Sequence, residues 1–330
     1  MMSRYFISKL IALIAGILLL FIAYYHNIGS TYTISGSAYG TTWSITSTKY
    51  ISDTHKESII SIIDEIDMIA SNYKPESEIN RINKKNDNYH FISNDLFQIL
   101  TIAKDVENKS QGYYNIMLGK ISSELGFAPN FNDPLFQKKN SSYSLDDNNF
   151  SLFKDSENWF DLSSIAKGYA VQKIHTYLLE NNFKDHFIDI GGEIIIYGKN
   201  YNDPWIIGIQ NPYSLLEQPI SIIKNESINY MAIATSGEYR NFNLSPNGEK
   251  ITHTINPNTG LSINNITKSV TVVHLESATY ADAYATAFNA MGHSLAIEIA
   301  NKYEIALMII IGTEDEMEIL YSDKWYDLKL

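Results

Sequence analysis

"TYTISGSAYGTTWSITSTK", Thr31–Lys49, followed closely by "ESIISIIDEIDMIAS", Glu57–Ser71, decides the fold class. The first stretch alternates polar residues with Thr, Tyr and Ile, the two-residue period of a half-buried strand. The second changes period. Ile59, Ile60, Ile63, Ile66 and Ile69 recur at helical spacing and predict one apolar stripe. Outward from this pair the interchange continues. "NDLFQILTIAKDVENKSQG", Asn94–Gly112, predicts a second helix closed by Gly112. A short strand at "WFDL", Trp159–Leu162, leads into a helix over Ser163–Asn182, and "HFIDIGGEIIIYGK", His186–Lys199, reads as a hairpin turning at Gly191 and Gly192. Strands dominate Trp205–Ala234. A strong helix, "ESATYADAYATAFNAMG" (Glu276–Gly292), precedes the strand "ALMIIIG", Ala306–Gly312. Polar, turn-rich Pro129–Asn149 is expected to be a surface excursion. Helices and strands alternate without a βαβ rhythm, and no repeat period is present, so the expected class is α+β, helices packed on a mixed or antiparallel sheet. Residues 31–330 read as a single domain.

Residues 1–30 read differently. "YFISKLIALIAGILLLFIAYY", Tyr5–Tyr25, is apolar apart from Ser8 and Lys9, with Arg4 and Lys9 on its N-terminal side. About 20 apolar residues span a bilayer as a helix, and the cationic flank stays cytoplasmic. The expectation is an N-terminal transmembrane helix anchoring the chain in a bacterial inner membrane, with the rest facing the periplasm. A signal segment cleaved near Ser35–Ala38 is the competing reading. The formal net charge of −12, with no Lys/Arg-rich block, argues against a nucleic-acid partner. The absence of cysteine excludes disulfides, thiolate chemistry and Cys-based metal sites.

Four places carry candidate chemistry. Asp161 ends a strand before Ser163 and Ser164 at a helix start, where serines can cap and exposed amides attract phosphate; Lys167 adds a cation one turn in. "ATSGEYRNF", Ala234–Phe242, combines small donors with Arg240, which suits either a close ligand approach or a simple turn. Asp282 and Thr286 are four residues apart on one helix, so their oxygens face the same way. Two hard oxygens suit Mg²⁺, which takes few protein ligands; an aspartate with only a local hydrogen bond is the plain alternative. His253 stands before the turn "INPNTG", where it is either a held base or an ordinary strand end.

The order of motifs goes further. "YGTTWSI", "SNYKPESEINRIN", "DLSSIAKGYAVQKI", "IDIGGEI", "WIIGIQNP", "ATSGEYRNF", "HTINPNTG" and "SVTVV" with "ADAYATAFNAMG" together resemble the ApbE family of FAD:protein FMN transferases, from about Tyr39 to Gly292. The resemblance implies an ApbE-like fold and a Mg²⁺-dependent enzyme. It would move FMN from FAD to a Thr or Ser hydroxyl of an acceptor flavoprotein, a membrane redox-complex subunit or an exported flavoprotein, and release AMP. Asp282 and Thr286 match the family's metal-ligand pair, with Ser164 supplying a backbone carbonyl. His253 matches the general base, and Ile255 would contact the flavin. Tyr73 matches an aromatic site against the isoalloxazine, and Asp161 and Lys167 match cofactor-contacting positions. Tyr113, Tyr114 and Asn115 occupy the place of an "FDI"-type segment, with Asn115 where an acid is frequent. Tyr39 stands where methionine often precedes "GTT". An FAD pyrophosphatase and a non-catalytic FAD-binding protein are the rival readings.

Overall fold

A computed structural model describes residues 4–27, 29–85, 87–129, 142–154, 159–214, 219–226, 229–237, 242–244, 250–263 and 266–328. Helix α1 (Arg4–Asn27) comes first. Among the described residues no helix is long and apolar enough to cross a membrane; the side chains described in α1 run only from Lys9 to Ile22, with Tyr24.

The alternating stretch that opens the domain folds as two strands rather than one: β1 (Tyr32–Ala38) and β2 (Thr41–Ser47) pair antiparallel about a turn at Tyr39 and Gly40. Both turn residues have positive φ, +53° and +73°, as a two-residue hairpin with right-twisted strands requires. Because Ala38 faces Thr41 across it, the inward face moves from the even positions of β1 (Ile34, Gly36, Ala38) to the odd positions of β2 (Thr41, Trp43, Ile45), so the alternation shifts phase by one residue at the turn.

Helix α2 (Asp53–Ala70) starts earlier than its apolar stripe, at the Ser52 cap, whose hydroxyl accepts from the His55 amide. It buries Ile59, Ile63, Ile66 and Ala70, and leaves Ile60 37 % exposed. Then come α3 (Glu78–Lys84), β3 (Tyr89–Phe91), α4 (Asn94–Lys109), α5 (Gly119–Glu124), β4 (Tyr143–Asp146) and β5 (Ser151–Lys154). Strands β3, β5 and β4 form a small sheet of their own. Much of the expected 129–149 excursion lies outside the described residues.

"WFDL" is not a strand. Its central backbone groups are taken by side chains, Asn83 accepting from the Phe160 amide at 2.8 Å and Asn72 and Asn83 both donating to the Phe160 carbonyl, at 2.7 and 2.9 Å. Beside them the Asp161 amide donates to the Ile116 carbonyl at 2.6 Å and the Trp159 carbonyl accepts from the Gly119 amide at 2.9 Å. Helix α6 (Ala166–Glu180) follows, then β6 (His186–Ile190), β7 (Glu193–Tyr197), β8 (Ile206–Ile209), β9 (Ser221–Lys224) and β10 (Tyr230–Gly237). Short strands β11 (Phe242–Leu244), β12 (Lys250–Thr252), β13 (Ile255–Asn256) and β14 (Leu261–Ser262) lead to β15 (Thr267–His274) and helix α7 (Ala278–Met291). Gly292, at φ +78°, ends α7 and starts α8 (His293–Lys302), which the sequence reading did not anticipate. Strands β16 (Ala306–Gly312) and β17 (Met317–Tyr321) and the short α9 (Asp323–Tyr326) complete the chain.

Eight strands make the main sheet, in the order β1-β2-β6-β7-β10-β15-β16-β17, every neighbouring pair antiparallel. Both faces are covered, which explains the unbroken apolar run of β16. Leu307, Ile309 and Ile311 join the core under the helices, while Ala306, Met308 and Ile310 join a second core with Trp205, Ile207, Ile223 and Trp325. Helix α7 packs on β10 and β15 and against α6 and α4, and is buried along most of its length. A column of rings runs along it, from His274 to Tyr280 to Tyr284 to Phe288. Successive centroids are 5.5, 6.0 and 5.4 Å apart, with interplanar angles of 12°, 24° and 15°.

Candidate active site

Strand pairing brings several turns to one end of the sheet. Trp43 of β2 faces Ile190 of β6, so the Tyr39–Gly40 turn lies beside the Gly191–Gly192 turn; Ile194 of β7 faces Ile233, which brings the end of β10 alongside. A cavity of about 480 Å³ opens there. It is lined by Tyr39, Tyr73, Tyr113, Tyr114, Asn115, Asp161, Ser164, Lys167, His253, Ile255, Asp282 and Thr286, so the residues that the family resemblance picked out share its walls. A second cavity of about 610 Å³ adjoins it, sharing Tyr39, Tyr73, Phe127, Asp161 and Lys167.

The floor is built by α6 and α7. Gly168 lets the two helices touch: a Cβ there would meet the Ala278 carbonyl oxygen at 2.5 Å and Asp282 Cβ at 2.6 Å. The Gly168 amide donates to Asp282 Oδ2 at 2.9 Å, so the aspartate is held from the neighbouring helix rather than by a local bond. Asp282 is 4 % exposed, and burial pushes its carboxyl up, opposed by Lys167 and the Gly168 amide. Lys167 Nζ lies 2.5 Å from Glu193 Oε1. Glu193 is nonetheless pushed up to about 7, because desolvation, reinforced by Asp282, outweighs the Lys167 contact. Its Oε2 is buried with no hydrogen-bond partner. Sequence reasoning passed over Glu193, although it stands in the quoted "IDIGGEI" immediately after the turn glycines.

Ser163 and Ser164 do not cap α6. Its N-cap is Ile165, without a side-chain bond, because the chain first makes a turn through Ser163–Ile165. The Ser163 amide instead donates to Asp161 Oδ1 at 3.0 Å, and Ser164 Oγ shares a hydrogen bond with the Tyr114 hydroxyl at 3.1 Å. Asp282 and Thr286 with the Ser164 segment offer a carboxylate, a hydroxyl and a main-chain carbonyl, and no cluster of three or more His, Cys, Asp or Glu occurs among the described residues. This hard-oxygen set around a buried carboxylate fits a small divalent ion such as Mg²⁺ that keeps most of its shell for water and phosphate.

The rim is built from loops. Tyr39 donates its hydroxyl to the Ile63 carbonyl at 2.7 Å and turns the ring to the cavity wall. Asn115 Oδ1 accepts from the Met117 amide at 2.7 Å, fixing its own turn. Tyr73 is 66 % exposed and donates to the Phe127 carbonyl at 2.7 Å. The Phe127 ring stands edge-on to His253, centroids 6.2 Å apart; nothing in the sequence signalled Phe127. His253 and Thr254 lie between β12 and β13, and Thr252 and Thr254 on either side are buried while His253 is half-buried. The turn beyond them is closed by the Gly260 amide donating to Asn256 O at 2.8 Å, with Gly260 at φ +69°. Arg240, considered as a phosphate contact, lies outside the described residues.

Comparison with known proteins gives the family and the fold. The ApbE family profile matches residues 39–309. An FAD:protein FMN transferase of Vibrio cholerae is 31 % identical over 303 residues, covering 86 % of this chain and 88 % of that protein. One of Haemophilus influenzae is 29 % identical over 309 residues, covering 86 % and 87 %. The solved structure of the flavin transferase ApbE from Vibrio cholerae superposes with a TM-score of 0.78 at 26 % identity, over 90 % of this chain and 99 % of that one.

Proposed function

The chain belongs to the ApbE family, whose members similar to it are FAD:protein FMN transferases, and from that premise we propose that it moves FMN from FAD to a Thr or Ser hydroxyl of an acceptor flavoprotein and releases AMP. One observation carries the reading: residues drawn from Tyr39 to Thr286 converge on a single cavity with a buried carboxylate at its floor and a histidine at its rim.

In this proposal Asp282, Thr286 and the Ser164 carbonyl would hold Mg²⁺, whose charge would offset that of the pyrophosphate and make AMP a better leaving group. Lys167, steadied by Glu193, adds positive charge near the same end. His253 takes the proton of the incoming hydroxyl as general base. Tyr39, Tyr73, Tyr113, Tyr114 and Ile255 enclose the flavin, with Asn115 and Asp161 beside them. The N-terminal run supports an anchor or signal segment: Arg4 and Lys9 precede it, and α1 is continuous from Arg4 to Asn27. On this reading the enzyme works at a bacterial inner membrane, its catalytic part facing the periplasm, with exported and membrane flavoproteins as acceptors.

The test is to incubate the full chain in detergent with FAD, Mg²⁺ and a candidate acceptor domain and record intact masses. A gain of one FMN on the acceptor, abolished by EDTA, supports transfer. AMP and free FMN with no gain on any acceptor tried turns the reading toward an FAD pyrophosphatase.

A further inference from the structure

Asn289 is one further turn along α7 from Thr286, on the side that carries Asp282. It is fully buried, at 0 % exposure. Its Nδ2 donates to Thr254 Oγ1 at 3.0 Å and to Ser236 Oγ at 3.3 Å, while its Oδ1 is buried without a partner. Because both partners are hydroxyls, able to donate or accept, the bridge stands whichever way round the amide lies. A half-satisfied amide in a core is unfavourable, and an apolar side chain would avoid that cost. Asn289 does what no apolar residue can: it ties α7 and the end of β10 to the residue that follows His253.

That tie matters because of how His253 is carried. Strands β11–β12 and β13–β14 are two-stranded sheets separate from the main sheet. On the N-terminal side of His253, Thr252 is clamped to Ser262, its amide donating to Ser262 Oγ at 2.7 Å and its carbonyl accepting from the same hydroxyl at 2.9 Å. On the other side, the Thr254 carbonyl accepts from the Ile263 amide at 3.0 Å. These bonds stiffen the hairpin internally and leave its distance from α7 unset. The Asn289 bridge sets it, from the helix that carries Asp282 and Thr286.

We propose that Asn289 is a positioning residue for the reaction: through Thr254 it fixes His253 relative to Asp282 and Thr286 without itself touching substrate. The inference rests on the transferase reading above, with His253 as base.

The experiment measures kcat and KM for FAD, and the Mg²⁺ concentration for half-maximal rate, in the full chain. The variants are Asn289→Ala, Thr254→Val and Thr254→Ser, each also combined with His253→Ala. Asn289→Ala and Thr254→Val are expected to lower kcat by roughly 10- to 100-fold, the cost of a base displaced by about an ångström, with KM and the Mg²⁺ requirement within about threefold. Thr254→Ser keeps the hydroxyl and restores the rate. On His253→Ala, Asn289→Ala costs nothing further, because a base that is absent cannot be misplaced.

A full multiplicative loss on His253→Ala, or a shifted KM or Mg²⁺ requirement with kcat unmoved, overturns the inference and makes Asn289 a support of the fold or metal helix. If Asn289→Ala does not fold, the Thr254 pair decides, and a Thr254→Val variant as fast as Thr254→Ser overturns it. A wild type that gives no EDTA-sensitive FMN gain, or a His253→Ala variant as fast as wild type, removes the transferase reading and this inference with it. An active wild type and a slow His253→Ala confine any failure to Asn289.

Discussion

The two ends of the cavity are made in opposite ways. Its floor is two long helices in contact at Gly168, with Asp282 reached by a main-chain amide and almost no exposed surface. Its rim is short strands and turns, with Tyr73 mostly exposed and His253 in a hairpin outside the main sheet. The floor is rigid because any displacement would open a close-packed helix contact; the rim is held by a few side-chain bonds, each worth about 1 kcal/mol. A cation site needs fixed oxygens, whereas a site that admits a protein hydroxyl must let a partner approach, and the contrast follows that division.

The sharpest way to break the comparison is at the floor. Asp282→Asn keeps the shape and a possible acceptor for the Gly168 amide but removes the buried charge. Turnover should fall by roughly 1,000-fold or more, the several kcal/mol a bound metal contributes. Thermal stability should hold or rise, since a desolvated carboxylate has been removed. A large loss of Tm would show the floor to depend on that charge for folding. At the rim, His253→Ala should lower kcat by about 100-fold or more with FAD affinity little changed, as expected of a group that acts in the transition state. Collapse of FAD affinity in equilibrium binding would make His253 a ligand contact instead.

A third measurement asks how stiff the frame behind the floor is. His175 on α6 and His186 on β6 are buried, Nδ1 of the first 2.9 Å from Nε2 of the second. Desolvation lowers His175 to about 3 and His186 to about 4. With folded values below the unfolded 6.5, the unfolded chain binds more protons as pH falls through that window. Stability is therefore full above about 6.5 and is lost progressively toward pH 4, by roughly 3 kcal/mol for His186 alone. His186→Gln should flatten that acid slope in denaturant titrations at several pH values; an unchanged slope would place the acid sensitivity elsewhere. The smallest effect is expected at Tyr73→Phe, which removes an exposed bond to the Phe127 carbonyl. It should cost about 0.5 kcal/mol of stability and raise KM for FAD a few-fold with kcat kept, read from initial rates.

Legibility in the sequence follows the same line. Ile59, Ile63 and Ile66 gave α2 because a helix packed on a core must repeat its apolar residues. Asp282, Thr286 and His253 were found because each sits in a motif whose order is shared with a family. What stayed hidden was tertiary. The Tyr39–Gly40 hairpin shifts the strand alternation by a single residue, and the Thr and Ser on both strands blur that shift. "WFDL" looks like a strand because Trp159, Phe160 and Leu162 are buried, while its backbone bonds go to Asn72, Asn83 and the Ile116–Gly119 segment, all distant in sequence. The partners of Glu193 and Asn289 lie on other elements: Lys167 on α6 for the first, Thr254 and Ser236 for the second. No local pattern encodes them.

The ring column along α7 has an optical consequence. Three aromatic side chains on the helix that bears Asp282, stacked in fixed, chiral register with His274 at the end of β15, contribute to the near-ultraviolet circular dichroism, a signal lost when tertiary packing loosens. Part of that signal thus originates on the helix itself, and a change in its packing can be followed by light during titration with a cation, with no label added and no acceptor present.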